Sequence, residues 1–291
     1  MHGNNDSEGL TQAVIEKVSG AADPRVAQTG AALIRHLHAF IRDVRPTQEE
    51  WEAGIAFLTD TGHMCDDKRQ EFILLSDALG VSMLVDAINH GDDPVATEST
   101  VFGPFYHPTE EWPQGADISG TMTGTPLFVS GRVLDNRGNP LAGAVVDVWH
   151  ADDQGFYDVQ MERLEGKDAG RAWFRTDGEG RFHFWTIRPS PYPIPNDGPV
   201  GKMLAAQGRH PFRPAHVHFM IQSDGYRKLV THLFEEGSPY LDSDVVFGVK
   251  SSLICEFTEH QGGVAPDNRR MDGEWRSLNH DFILTPIADA A

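Results

Sequence analysis

The sequence predicts an α+β protein, with helices in its N-terminal part and a β-sandwich after them. Two observations carry this. Up to about Asn89 apolar residues recur at spacings of three and four, the period of a helix face. From Pro126 the period is two, in short runs separated by Gly- and Pro-bearing turns, which implies a sandwich. A third observation says where to look for chemistry. One of the strand-like runs, Arg213-Pro214-Ala215-His216-Val217-His218-Phe219, places two histidines on one face.

Ala27, Ala31, Ile34, Leu37, Ile41 and Val44 mark the first helix, and Pro46 ends it. Thr47-Gln48-Glu49-Glu50 fits a capping box, with Thr47 as N-cap and Glu50 reaching back. Trp51, Ile55 and Leu58 continue the stripe, and Thr61-Gly62 closes it. A further helix is expected from about Asp67 to His90, with Phe72, Leu75, Leu79, Leu84 and Ile88 on one side and an interruption near Gly80. His90-Gly91-Asp92-Asp93-Pro94 stops it. Residues 97–125 read as an irregular linker with an apolar island at Val101–Phe105. Phe128–Leu134, Ala144–His150, Trp173–Thr176 and Arg181–Trp185 read as strands, with turns at Asp135–Pro140 and Asp177–Gly180. The expected division is a helical domain over 1–96, the linker over 97–125 and the sandwich over 126–291.

Composition narrows the function. The chain has 291 residues, 40% of them hydrophobic, which suffices for a packed core. Its net charge of -19 repels phosphate backbones and anionic headgroups, so nucleic acid and membrane surfaces are poor partners. No apolar run is long enough to span a bilayer, and Met1–Leu10 lacks the apolar core of a signal peptide. Cys65 and Cys255 lie far apart and match neither a disulfide framework nor a zinc pattern. A cytoplasmic protein is expected.

His216 and His218 together make half of a metal site. Taken alone, such a pair is more often two ordinary polar residues of a sandwich. The candidates for the other half are tyrosines, of which the chain has 5. Tyr157 follows the strand that ends Val148-Trp149-His150. Tyr192 sits among Pro191, Pro193 and Pro195, which fix the backbone around it. A stiff loop packing an aromatic ring would look the same.

Several segments together resemble the intradiol ring-cleaving catechol dioxygenases. They are Trp149-His150-Ala151-Asp152, Gly155-Phe156-Tyr157, Pro191-Tyr192-Pro193-Ile194-Pro195, Gly208-Arg209-His210, the run from Arg213 to His218, and Tyr240-Leu241-Asp242-Ser243-Asp244. They occur in order at family-like intervals, and the likeness covers nearly the whole chain. Asp197-Gly198-Pro199-Val200-Gly201 and Thr231-His232-Leu233-Phe234 most resemble the hydroxyquinol-cleaving branch. Catechol-type members usually carry Gln at the position of His232.

The resemblance implies a transthyretin-like sandwich holding one non-haem Fe(III) per subunit through Tyr157, Tyr192, His216 and His218. The donor chemistry agrees. Ferric iron is a hard cation suited to anionic oxygen, and a bound cation stabilises a phenolate whose free pKa is about 10. Zinc more usually draws Cys, His or carboxylate, and a ferrous triad needs an acidic ligand. Tyr192 is implied to be displaceable and to take a substrate proton. Arg213 is implied to stabilise negative charge on the ring, where spacing alone would give a surface ion pair. The implied pocket takes Leu74, Asp77, Val101, Phe102 and Gly103. It also takes Pro104, Phe105, Ile194 and Pro195, with His232 nearby. Helical spacing alone makes Asp77 an exposed aspartate, and His232 alone could be a core histidine. The implied reaction is cleavage of a small aromatic diol or triol by O2, with hydroxyquinol giving 3-hydroxy-cis,cis-muconate. Catechol or chlorocatechol is the alternative substrate, and a metal-free sandwich binding module is the alternative class. The N-terminal helices are implied to form a homodimer with a seam that could hold lipid.

Overall fold

In the computed structural model the described residues are 7–66, 69–91, 93–161 and 168–287. Contacts divide the chain into two compact units, Met1–Asp60 and Thr61–Ala291. In the first unit, α1 (Ser7–Val18) is a helix the sequence reading did not assign. α2 (Pro24–Val44) begins where the Asp23 carboxylate accepts the Arg25 amide at 2.7 Å, with Pro24 at the first helical position. It ends at Arg45, left-handed at φ 52, just before Pro46. α1 packs against α2 at Gly30, where a Cβ would lie 2.3 Å from Val18 Cγ1. The capping box forms: the Glu50 amide donates to Thr47 Oγ1 (3.2 Å), and Glu50 Oε2 accepts the Thr47 amide (2.7 Å). α3 (Gln48–His63) continues one residue past Gly62. On α2, Leu33, Leu37, Phe40, Ile41 and Val44 are exposed, whereas Ala31 and Ile34 are half-buried.

The second unit begins with the helix expected from Asp67, a start outside the described residues. The described part is two helices, α4 (Glu71–Ala78) and α5 (Val81–His90), broken at Gly80 with φ +72. Of the expected apolar side Leu75 is buried, while Phe72, Leu79, Leu84 and Ile88 are exposed. α4 buries Glu71, Leu74, Leu75, Asp77 and Ala78. Polar anchors select that face. The Glu71 carboxylate pairs with Arg69 at 2.9 Å and accepts the Val200 amide at 3.1 Å.

The sandwich has two five-stranded sheets. The strands are β1 (Pro126–Asp135), β2 (Val145–His150), β3 (Arg171–Arg175), β4 (Arg181–Ile187), β5 (Tyr192–Pro193), β6 (Phe212–Arg213) and β7 (His216–Gln222). β8 (Leu229–Glu235), β9 (Ile254–Cys255), β10 (Thr258–Val264), β11 (Arg270–Asn279) and β12 (Phe282–Leu284) complete the set. α6 (Pro199–Ala206) lies between β5 and β6, again with Pro at its start. One sheet runs β10-β11-β1-β12 with β4 also on β1, the other β3-β2-β7-β8-β9, and β5 pairs with β6. The core between the sheets takes alternate residues: Val129 and Val133 from β1, Phe182 and Phe184 from β4, Val217, Phe219 and Ile221 from β7. Residues 97–125 form only isolated bridges, Glu111 to Trp173 and Asp117 to Trp185.

Candidate metal centre

The period of two that sends Val217 and Phe219 into the core turns His216 and His218 to the other face of the same sheet. Neighbouring strands add to that face in register: Trp149 of β2 stands opposite His218, and His232 of β8 stands opposite it on the other side. Three histidines thus share one buried patch, with a nitrogen of each within 4.8 Å of the others.

The tyrosines reach it from loops. The Asp152 carboxylate accepts the Gln154 and Phe156 amides, both at 2.9 Å, and closes the turn before Tyr157. Gly155, at φ +86, lets this turn pass Tyr192, since a Cβ there would lie 2.7 Å from Tyr192 Cβ. Tyr192 is held by β5, in register with Arg213 of β6. Tyr157 Oη lies 2.9 Å from His218 Nε2 and 3.2 Å from Tyr192 Oη, and His216 Nε2 is 3.1 Å from His218 Nε2. The four residues expected as ligands therefore converge. Neighbouring ligands about an ion bound at about 2.0–2.1 Å stand about 3 Å apart, so the donor set fits a compact cation.

Electrostatics point the same way. Burial pushes His216, His218 and His232 well below the usual imidazole range, and the nearby Arg213 charge adds to this. These rings are neutral, the form that binds metals. Burial also raises both phenols, Tyr157 strongly, so the protein alone opposes the phenolate that a cation would stabilise. A second grouping, His107, Asp158 and Asp168, is unlike this one. There Asp158 already binds the buried Arg171 guanidinium through both oxygens.

Arg213 is buried, not a surface charge. Its Nε and Nη2 meet the Asp244 carboxylate at 3.1 and 3.2 Å, and its Nη1 lies 3.4 Å from His216 Nε2. The carboxylate of Asp244 also accepts the Gly248 amide at 2.9 Å. Asp77 is 4% exposed, against the helical spacing, and burial raises its pKa, with Arg213 and Asp244 among the charges it feels. His232 is tied to the Thr100 side chain (2.8 Å) rather than to backbone, and its Nε2 is buried with no partner among the described residues. Phe105 stacks on Tyr157 at 4.5 Å, Phe102 packs on Trp149 at 5.7 Å, and a Cβ on Gly103 would lie 3.1 Å from His218 Cε1. Leu74, Val101 and Ile194 are buried, Pro195 is half-buried, and Pro104 is exposed on its loop.

Sequence reasoning missed three contributors. Asp244 lay inside a quoted motif with no role attached. Thr100 is 132 residues from the histidine it holds. Trp149, also within a motif, stacks on His218 at 4.7 Å with the planes 16° apart.

Comparison with known proteins agrees with this geometry. Residues 101–286 match the family model described as Dioxygenase, and 23–97 match Catechol dioxygenase N terminus. Hydroxyquinol 1,2-dioxygenase of Nocardioides simplex is 50% identical, covering 96% of this chain and 95% of its own. The 6-chlorohydroxyquinol 1,2-dioxygenase of Cupriavidus pinatubonensis is 51% identical over 97% of this chain and 98% of its own. The crystal structure of hydroxyquinol 1,2-dioxygenase from Pseudomonas putida superposes with a TM-score of 0.89 at 46% identity, covering 97% of this chain and 99% of that one. With both halves matched and relatives alike along almost their full length, this chain belongs to the intradiol ring-cleavage dioxygenases, an iron-dependent family.

Proposed function

We infer that this enzyme cleaves hydroxyquinol (benzene-1,2,4-triol) with O2 between its adjacent hydroxyl-bearing carbons. The product is 3-hydroxy-cis,cis-muconate, the enol form of maleylacetate, with both oxygen atoms incorporated. The observation that carries the reading is the meeting of two phenol oxygens and two imidazole nitrogens at separations of 2.9 to 3.2 Å beside a buried arginine. Tyr157, Tyr192, His216 and His218 would hold one ferric ion per subunit. The chemistry supplied by ferric iron is Lewis acidity, which acidifies adjacent ring hydroxyls and prepares the ring for O2.

The chain's own residues do the rest. Tyr192 Oη, as a phenolate, would take one hydroxyl proton. The Arg213 guanidinium, fixed by Asp244, stabilises negative charge spreading into the ring. Val101, Phe102, Gly103 and Phe105 would form the apolar wall against the flat ring. Leu74, Pro104, Ile194 and Pro195 would extend it. Asp77, buried near Arg213 and Asp244, would accept a hydrogen bond from the third hydroxyl. His232 Nε2, without a partner among the described residues, would face the substrate side. The names and identities of the relatives favour the triol over catechol.

The test is the visible spectrum of the iron-loaded protein with anaerobic hydroxyquinol and catechol, followed by kcat/KM for each. A red-brown band that moves to longer wavelength with diol, and a higher kcat/KM for hydroxyquinol, are expected. A protein colourless after iron loading removes the ligand assignment. Better turnover of catechol removes only the substrate assignment.

Residues 1–96 would serve dimerisation and residues 97–125 would line the pocket. The exposed apolar residues of α2 support a homodimer with a seam that admits lipid. Sedimentation as a monomer at micromolar concentration would contradict it. Among the described residues no helix is long and apolar enough to cross a membrane. A cytoplasmic setting, in keeping with the two free cysteines, belongs to the same reading.

A further inference from the structure

A histidine that binds a metal ordinarily gives its second ring nitrogen to an outer acceptor, which fixes both tautomer and rotation. His216 follows this rule, with Nδ1 2.7 Å from the Pro214 carbonyl. His218 does not. Its Nδ1 is buried and has no hydrogen-bond partner among the described residues. The hydrogen bonding that orients one imidazole is missing from its neighbour two residues away.

What His218 has instead is Trp149. The indole stands opposite it in register across β2 and β7 and lies nearly parallel to it, at 4.7 Å and 16°. This is stacking, not edge contact. The indole is itself fixed. The rings of Tyr106 and Phe102 pack on it at 5.0 and 5.7 Å, and the Tyr106 hydroxyl donates to Asp147, two residues back on the same strand, at 2.9 Å. Trp149 Nε1 is buried without a hydrogen-bond partner among the described residues, so the side chain's contribution here is its ring face. Gly103 presses on the same imidazole, and its φ of +76 brings its backbone close to Cε1.

We propose that Trp149 is a positioning residue for His218, holding the imidazole plane by stacking in place of the outer hydrogen bond. The proposal rests on His218 being an iron ligand. Rotation of that ring would carry Nε2 away from Tyr157 Oη and His216 Nε2, the two donors it now meets at 2.9 and 3.1 Å. The effect should therefore reach iron retention and the tyrosinate band, not stability alone.

The experiment compares iron-loaded wild type with Trp149→Leu and Trp149→Phe. It reads iron per subunit after a chelator challenge, the position of the visible band, and the melting temperature. Trp149→Leu should hold iron roughly 10–100-fold more weakly, with a displaced band. Trp149→Phe, which can still stack, should recover most of both. If Trp149→Leu does not fold, Trp149→Met, flexible and without a ring to stack, supplies the second arm. It should displace the band while the far-ultraviolet circular dichroism stays native. A Leu variant that melts earlier yet keeps wild-type iron and band overturns the positioning role and leaves the ligand assignment standing. So does a Trp149→Met protein with an unmoved band, where that arm is used. A wild type that takes up no iron overturns the assignment and this inference with it.

Discussion

Replacing Asp244 by Ala strands a charge. Arg213 and Asp244 have side chains 3% and 2% exposed and meet at 3.1 Å. Unit charges about 4 Å apart at an effective dielectric of about 20 attract by about 4 kcal/mol, and desolvating both offsets much of that gain. The intact pair is thus worth little net. Removing one member is different, because arginine cannot shed its proton and remains buried and uncompensated. The expected cost is about 3–5 kcal/mol. The Gly248 amide, which donates to the same carboxylate at 2.9 Å, also loses its acceptor. At about 2–4 °C per kcal/mol for a domain of this size, the melting temperature should fall by about 6–20 °C.

A second variant separates stability from catalysis. In Arg213→Met/Asp244→Leu both charges leave together and apolar groups of similar volume replace them. Stability should return to within about 1–2 kcal/mol of wild type, since such replacements are often neutral. Turnover should not return, because the oriented charge is gone, and a loss of about 10²–10³ in kcat is expected. Scanning calorimetry and oxygen uptake measure the two quantities. A single Asp244→Ala variant within about 1 kcal/mol of wild type would refute the buried-pair reasoning. Full turnover in the double variant would refute the electrostatic role of Arg213.

Three further predictions concern the same region. His216→Ala or Tyr157→Phe should lose iron, whereas Tyr192→Phe should keep some, as metal analysis will show. Asp77→Ala should narrow the kcat/KM gap between hydroxyquinol and catechol by about 1–3 kcal/mol, the range for a hydrogen bond to a charged group, and an unchanged gap excludes Asp77 from substrate choice. His150, buried with Nδ1 on the Ala151 carbonyl and Nε2 on Thr186, is pushed down by burial from the usual 6.5 to about 4. The folded state therefore binds fewer protons than the unfolded between those values. This contribution to stability is full above pH 6.5 and lost as pH falls toward 4, by a total on the order of 3 kcal/mol. Urea midpoints across that range should be flatter in His150→Gln.

The parts of this molecule that were legible in the sequence are those set by local rules. The capping box at Thr47, the stop before Pro46 and the break at Gly80 each follow from one residue type at one position. The shared face of His216 and His218 follows from the strand period alone. What local rules do not encode is which face a partner covers. Phe72 of α4 and Leu79 just past its end are apolar yet exposed, while Glu71 and Asp77 are buried by ion pairing and by neighbours distant in sequence. α1 carries Leu10, Val14 and Val18 at a spacing of four, a signal the sequence reading did not use. The tyrosines were joined to the histidines by resemblance, because nothing in their own spacing brings Tyr157 within 2.9 Å of His218.

The centre is also electrostatically unfinished, and this links the fold to its chemistry. Burial lowers the three histidines and raises the two tyrosines, so each of these five groups is held in its neutral form. The fixed positive charge beside them, Arg213, paired with Asp244, favours both phenolates but does not outweigh burial. The two buried phenols lie 3.2 Å apart, and Tyr157 Oη is also 2.9 Å from His218 Nε2. A cation among them would use lone pairs that are otherwise idle and would supply the charge that two phenolates require. The strand register that keeps Val217 and Phe219 in the core is what holds half of those lone pairs in place. A slip of one residue in β7 would bury the imidazoles between the sheets and turn Val217 toward the tyrosines. The packing that stabilises the sandwich and the geometry of its candidate metal centre are therefore set by the same alternation.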